Sequence, residues 1–360
     1  MAPLEVRAFA PGRVNLIGEH TDYNNGLALA FAIAEGVRVR AQATDERRIR
    51  TSALDLDEHD ELALHDLLRP AIATSPDLPN PNLPPGDGWR AFVRGVAAEL
   101  LRVGVEIPGT ELEIHGNLPL GAGLSSSAAL EVALCLALLG VAGAELDRRE
   151  LARLCSRVEN EWLGAHTGLL DQLASLYGEA DTALQIDFSN LDIQPVPLVL
   201  ADGWRLATLD SGDPRTLAAS GYNKRREECA RACELLGVQS LREAREDSLQ
   251  QLPPVLARRV RHVLGENARV LATVADLRRG ALEEVGALLD ASHASLRDLY
   301  ECSTPAVEVA VRALKETGAL GARLVGGGFG GHVLGLFPPG VSPPAHAREV
   351  RPSRGAHLLA

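Results

Sequence analysis

Apolar and polar positions alternate in short runs over the first third of the chain and settle into helical spacing further on. Residues 4–9 alternate and read as a strand leading into a polar stretch at 10–23. Residues 27–33 are apolar throughout and 37–41 alternate strictly, which predicts an antiparallel pair of strands after Gly26. Prolines 70, 76, 79, 81, 84 and 85 mark a surface excursion. A helix follows over 90–101, with Phe92, Val93, Val96 and Leu100 on one side, and then a short strand over 112–117. A turn rich in glycine and serine at 121–129 opens an apolar helix running to Leu139, and a second helix is expected over 148–162. Residues 182–188 alternate and are expected to open the C-terminal half. A strand at 204–209 and a helix from Tyr222 follow, and 240–315 is mostly helical with breaks at Pro253, Pro254 and Pro305. A glycine run at 326–331 enters a strand at 332–337, and beyond Pro338 no element is readable.

The polar stretch carries the first chemistry. Arg13, Glu19, His20 and Asp22 crowd into it, with the apolar pair Leu16 and Ile17 between them. A solvated loop has no need of that pair, and a buried strand would not keep so many charges. A strand end lining a cavity satisfies both, with donors and acceptors at a density that suits the vicinal hydroxyls of a sugar.

The 121–129 turn has the layout of a phosphate cradle, since glycines admit backbone N–H groups and a helix N-terminus follows. It lacks the lysine of a Walker loop, and Ser126 stands where a dinucleotide fingerprint needs its third glycine. Gly326, Gly328 and Gly331 satisfy that fingerprint formally, but a strand follows them where a helix is required. Asp171 opens an apolar helical run, a place where aspartate ordinarily caps the helix.

Composition narrows the partners. The 360 residues suffice for two domains, and 46% hydrophobic against 23% charged residues describes a soluble globular chain. With 36 Lys and Arg against 48 Asp and Glu the net charge is −12, which argues against nucleic acid or an anionic membrane as partner. Residues 1–7 show no leader pattern, and no apolar run approaches the ~18 residues that span a bilayer. Five scattered cysteines read as free thiols of a cytoplasmic protein.

Residues 12–23, Gly-Arg-Val-Asn-Leu-Ile-Gly-Glu-His-Thr-Asp-Tyr, resemble the signature of the galactokinases, within the GHMP family of small-molecule kinases. Residues 118–128 resemble that family's ATP-phosphate loop, 168–172 its Gly-x-x-Asp-Gln segment, and 322–334 its third, glycine-rich signature. The resemblance implies an α+β GHMP-kinase fold of two domains: an N-terminal α/β domain over 1–180 and a C-terminal split β-α-β (ferredoxin-like) domain over 181–360. It implies transfer of the ATP γ-phosphoryl group to O1 of galactose with Mg²⁺. By the same match Asp171 is the catalytic carboxylate with Arg13 beside it, and Glu19, His20, Asp22, Gly168 and Tyr222 meet the sugar. Gly121, Gly123, Leu124, Ser125, Ser126, Ser127 and Ala128 cradle ATP, and Ser127 and Glu159 hold Mg²⁺. A looser match sets Trp89 and Phe92 at the adenine, although a tryptophan at a helix start equally serves a core. The implied partners are galactose and ATP, with no nucleic acid and no membrane, in a monomer or weak homo-oligomer.

The chain departs from the family around Pro214, Arg215 and Gly221, where an Arg-His pair and a Glu are common, and at His332, where Cys is common. A glycine in place of Glu at 221 predicts a sugar pocket somewhat more open on its C2 side. The same machinery would also serve a sister kinase acting on N-acetylgalactosamine or arabinose. A catalytically silent galactose sensor is a third reading, and the intact Ser-Ser-Ser-Ala turn at 125–128 speaks against it.

Overall fold

The computed structural model describes residues 4–67, 88–118, 123–164, 167–200, 203–213 and 221–359. Among them, β1 (Glu5–Ile17) and β2 (Leu27–Thr44) form a long antiparallel pair at the centre of an eight-stranded sheet. The two strands expected within β2 are one. Its partner β1 shifts register between Pro11 and Arg13, so both halves of β2 stay hydrogen-bonded to the same strand across Gly36. Strand β3 (Arg48–Ala53), β4 (Glu58–Ala63) and β5 (Gly109–Gly116) extend the sheet from β2 in the order β5-β3-β4. The strand β6 (Thr182–Asp187) pairs with β2 and with β7 (Asp192–Pro197), so the segment expected to open the C-terminal half instead completes this first sheet. The reason is apolar: Ala183, Leu184 and Ile186 are buried against the first core.

The short α1 (Leu64–Leu67) follows β4, and α2 (Trp89–Arg102) packs on α3 (Ser126–Ala142). Helix α3 is apolar on all sides, as a helix must be when it is covered on every face. It lies on β1 and β2 under α2, α4 (Arg148–Arg157) and α5 (Leu170–Tyr177). Beyond Arg157 the helix expected to reach Trp162 continues as a π-helical turn, Val158–Trp162, which holds Glu159.

A second, four-stranded antiparallel sheet runs β11-β8-β10-β9, from β8 (Arg205–Asp210), β9 (Gly321–Leu324), β10 (His332–Phe337) and β11 (Arg348–Val350). Helices α6 (Tyr222–Leu236), α7 (Pro254–Arg278), α8 (Leu282–Asp298) and α9 (Pro305–Glu316) complete this half. The tail that carried no readable pattern supplies β11 to this sheet and β12 (His357–Leu359) to the first, paired with β1. Three-residue strands are too short to show a period. The proline-rich excursion at 70–85 lies outside the described residues. No helix among the described residues is long and apolar enough to cross a membrane.

Candidate active site

The sequence after β1 cannot continue the strand. Gly18 takes a φ of 103° and His20 a φ of 62°, so the chain turns back at the sheet edge and lifts residues 18–22 toward the second half of the molecule. The cleft there is lined by Arg13, Glu19, His20, Asp22, Gly168, Asp171 and Tyr222, with Gly326 and Gly327 of the β9–β10 loop on the far wall. Every residue expected to act on the sugar or in catalysis meets in it.

Asp171 is the second residue of α5. The helix is capped at Leu169 with no side-chain cap, so Asp171 is not the capping residue its position suggested. Its Oδ1 accepts from Arg13 Nε at 2.7 Å and pairs with Arg13 Nη2 at 2.5 Å, while Ser125 Oγ donates to Oδ2 at 2.5 Å. Arg13 is buried and its Nη1 also donates to the Gly123 carbonyl at 2.7 Å, tying the carboxylate to the glycine-serine loop. Ser125 holds a φ of 61°, a left-handed backbone that costs a serine about 1–2 kcal/mol and turns its hydroxyl onto Asp171. The N-terminus of α3 begins at the next residue, with Ser126, Ser127 and Ala128 in its first turn. Gly121 lies outside the described residues, while Leu124 is buried with its carbonyl on the Arg13 amide at 3.1 Å.

Glu159 is buried and fully partnered. Ser127 Oγ donates to Oε1 at 2.6 Å, Gln172 Nε2 donates to Oε2 at 3.0 Å, and Thr167 Oγ1 also donates to Oε2. Burial, and then the nearby charge of Asp171, raises this carboxyl against the pull of those three hydrogen bonds. Behind it lies Glu131, wholly buried in α3, which burial and Glu159 push well above the carboxylate range. Glu131 did not announce itself in the sequence, because it sits inside an apolar helical run; Gln172 closes the 168–172 segment, which gave it no role.

On the sugar-facing side, burial pushes Asp22 up to about 6, with Asp171 adding to the effect and the Tyr23 amide opposing it. Asp22 lies directly on Gly168: a Cβ there would stand 1.9 Å from Asp22 Oδ2. His20 donates through Nε2 to the Gly327 carbonyl at 3.2 Å, since a carbonyl can only accept, which leaves Nδ1 to accept from Tyr23 Oη at 2.8 Å. Glu19 lines the cleft, yet its oxygens are held by Asn15 Nδ2 at 2.8 Å, the Gly326 amide at 2.8 Å and Arg323. Burial raises Glu19 to about 7, with the Arg323 guanidinium as the main opposing influence. Arg323 was not singled out in the sequence. A buried arginine in an apolar strand is the one available signal.

Trp89 belongs to the first core and donates through Nε1 to Glu58 at 2.8 Å, and Phe92 packs on the same core; neither lines the sugar-facing cleft. One expectation changes: Gly221 leaves no open space, because the Phe329 ring fills it, 2.5 Å from where a Cβ would stand. Pro214 and Arg215 lie outside the described residues. All five cysteines are free.

The sequence model of the GHMP kinases N terminal domain matches residues 91–179, that of the GHMP kinases C terminal matches 273–356, and the galactokinase galactose-binding signature matches 2–43. The galactokinase of Thermotoga neapolitana is 38% identical over 336 residues, 93% of this chain and 90% of that protein. This chain belongs to the galactokinases of the GHMP kinase family. The galactokinase of Halalkalibacterium halodurans is also 38% identical, over 91% of this chain and 82% of its own length. Among solved structures, Lactococcus lactis galactokinase complexed with galactose superposes with a TM-score of 0.87 at 30% identity, covering 99% of this chain and 95% of that one. Methanococcus jannaschii mevalonate kinase, at 18% identity and a TM-score of 0.66, shares the fold. As a galactokinase the chain is an ATP-dependent sugar kinase, and the α+β GHMP fold expected from its motifs is the fold it has.

Proposed function

We propose that this chain transfers the γ-phosphoryl group of ATP to the C1 hydroxyl of galactose, with Asp171 and Arg13 at the reacting centre. The observation that carries the reading is the placement of one carboxylate, Asp171, between the sugar-facing turn and the glycine-serine loop, gripped on one side by Arg13 and on the other by Ser125. Phosphoryl transfer asks mainly for positioning and charge stabilisation. Asp171 orients the acceptor hydroxyl and takes its proton, and its side chain keeps 24% of its surface open for that contact. Arg13 spans Asp171 and the Gly123 carbonyl, where its fixed charge offsets charge on the phosphoryl group in transit. The backbone N–H groups opening α3 receive phosphate oxygens. Asp22 and Tyr222 bind the sugar hydroxyls, and the His20 ring, held by Gly327 and Tyr23, forms the wall beside them.

The oxygens of Ser127 and Glu159 suit Mg²⁺, a hard cation bound through one or two protein oxygens plus phosphates and water. Bound there, Mg²⁺ neutralises phosphate charge. Glu159→Gln is expected to raise the Mg²⁺ concentration needed for half-maximal rate about tenfold, with galactose affinity unchanged. A magnesium titration beside galactose calorimetry checks it, and a change confined to galactose would remove Glu159 from the metal.

Gly168→Ala is expected to lower kcat/KM for galactose about 10²-fold in a folded protein. The new methyl must displace the Asp22 carboxylate by an ångström or more, and misplacements of that size carry such costs. Steady-state kinetics with galactose and ATP varied separately test it, and an unchanged galactose KM and kcat would show that Asp22 does not bind the sugar. For the reaction itself, ADP release is measured against galactose, glucose, N-acetylgalactosamine and arabinose. Galactose is expected to lead; a better N-acetylgalactosamine or arabinose rate moves the reading to a sister kinase, and binding without ADP release moves it to a sensor.

A further inference from the structure

The turn that lifts residues 18–22 into the cleft leaves backbone groups with no strand to pair with. The β1–β2 ladder ends at Ile17 and Leu29, and Gly18 lies beyond it. Helix α7 meets these groups with side chains from one of its faces. Glu266 Oε1 accepts from the Gly18 amide at 3.1 Å, and Asn267 Oδ1 accepts from the Leu27 amide at 2.8 Å, the two mouths of the turn. One turn of helix earlier, His262 Nε2 donates to the Glu19 carbonyl at 3.1 Å while its Nδ1 accepts from Ser295 Oγ at 2.8 Å. One turn later, Val270 lies where a Cβ on Gly18 would come within 3.0 Å of its Cγ2. Positions 262, 266, 267 and 270 share a helix face, so the contacts form one continuous seam.

Glu266 is the informative member. Its side chain is fully buried among the valines of α7, where an apolar residue would pack without cost. Instead Arg269 Nε donates to Oε2 at 2.8 Å and Ser292 Oγ from α8 donates to Oε1 at 2.6 Å, and against burial His262, Arg269 and Arg323 hold the carboxyl below its usual range. Ser292 thus donates to the same oxygen, Oε1, that takes the Gly18 amide. No residue of α7 lines the cleft, so whatever this seam does to the substrate it does through the turn.

We propose that α7 is the template that fixes the backbone of the sugar-binding turn, with Glu266 as its central positioning residue and His262 and Asn267 as its flanks. Its kinetic consequence rests on the galactose reading of the cleft, but its structural content does not. The experiment therefore has two readouts on the full-length protein: hydrogen exchange over 16–30, and galactose and ATP KM.

In Glu266→Ala, exchange at the turn is expected to accelerate at least ~10-fold while strands β3 to β5 keep their protection, and galactose KM is expected to rise at least ~10-fold with ATP KM within about twofold. Glu266→Gln keeps the acceptor oxygen and is expected to restore both within about threefold. Asn267→Ala, which removes a partly exposed bond, repeats the pattern more weakly and serves if Glu266→Ala does not fold. Unchanged exchange at the turn in a folded variant overturns the template. Faster exchange with galactose and ATP KM raised alike, or neither raised, reduces it to a general stabilising contact and overturns the positioning role. If the unaltered protein binds no galactose by calorimetry, the galactose reading fails and the exchange experiment still decides the template.

Discussion

Asp171→Asn is expected to fold like the parent protein, to bind galactose within a fewfold of the parent affinity, and to lose about 10²–10⁴ in kcat. The fold should survive because the cap of α5 does not use this side chain. An asparagine oxygen can still accept from Arg13, and the amide can face Ser125 with only local adjustment. What the substitution removes is the negative charge that, on the proposed reading, orients the acceptor hydroxyl and takes its proton. The sugar should still bind, because Asp22, His20 and Tyr222 stand on other elements. Single-turnover ADP release, galactose calorimetry and thermal unfolding separate the possibilities. A variant that melts early would make Asp171 structural. One that keeps near-parent turnover would leave Arg13 and the α3 N-terminus as the whole of the catalyst.

The division between what the chain announced and what it concealed follows sequence distance. Residues 18–22, the glycine-serine loop and the Asp171 segment are contiguous stretches, with glycines and charged groups side by side, so the candidate site they form was legible. Glu35 and Gly36 read as a break because polar and glycine residues usually end strands; only the partner strand's register shift shows that β2 runs through them. Strand β6 alternates as expected, but alternation does not say which sheet a strand joins, and β2 lies far back in the chain. Arg323, Glu266 and His262 are the furthest case. Each is one polar residue within an apolar strand or helix, and each finds its partner in the first turn of the chain, more than two hundred residues away. Such a residue carries a signal only through its burial, which the sequence does not state.

Arg323→Met is expected to cost about 3–5 kcal/mol of stability at neutral pH, among the largest effects a single substitution in this chain can have. Arg323 is completely buried in β9. It forms an ion pair with Glu19 and donates through Nη1 to the carbonyls of Leu16 at 2.9 Å and Asn15 at 3.3 Å. Methionine fills much of the volume but leaves the Glu19 carboxylate buried without its counter-charge. Burial already raises Glu19 to about 7 with the arginine present, and its removal pushes the group higher. The sign of the pH dependence follows. A carboxyl raised in the folded state above its unfolded value of about 4.3 binds more protons folded than unfolded, so protonation favours the folded form. The variant should therefore fold with Glu19 as the neutral acid and gain stability as pH falls from 7 toward 5. Adding Glu19→Gln to Arg323→Met removes the cost of protonating that buried group and should recover more than half of the loss at pH 7. Urea unfolding of the parent, both single variants and the double variant at pH 5, 6 and 7 tests all three expectations. A deficit under about 1 kcal/mol, a variant whose stability does not rise as pH falls, or a double variant no better than Arg323→Met would each show that Glu19 does not depend on this arginine.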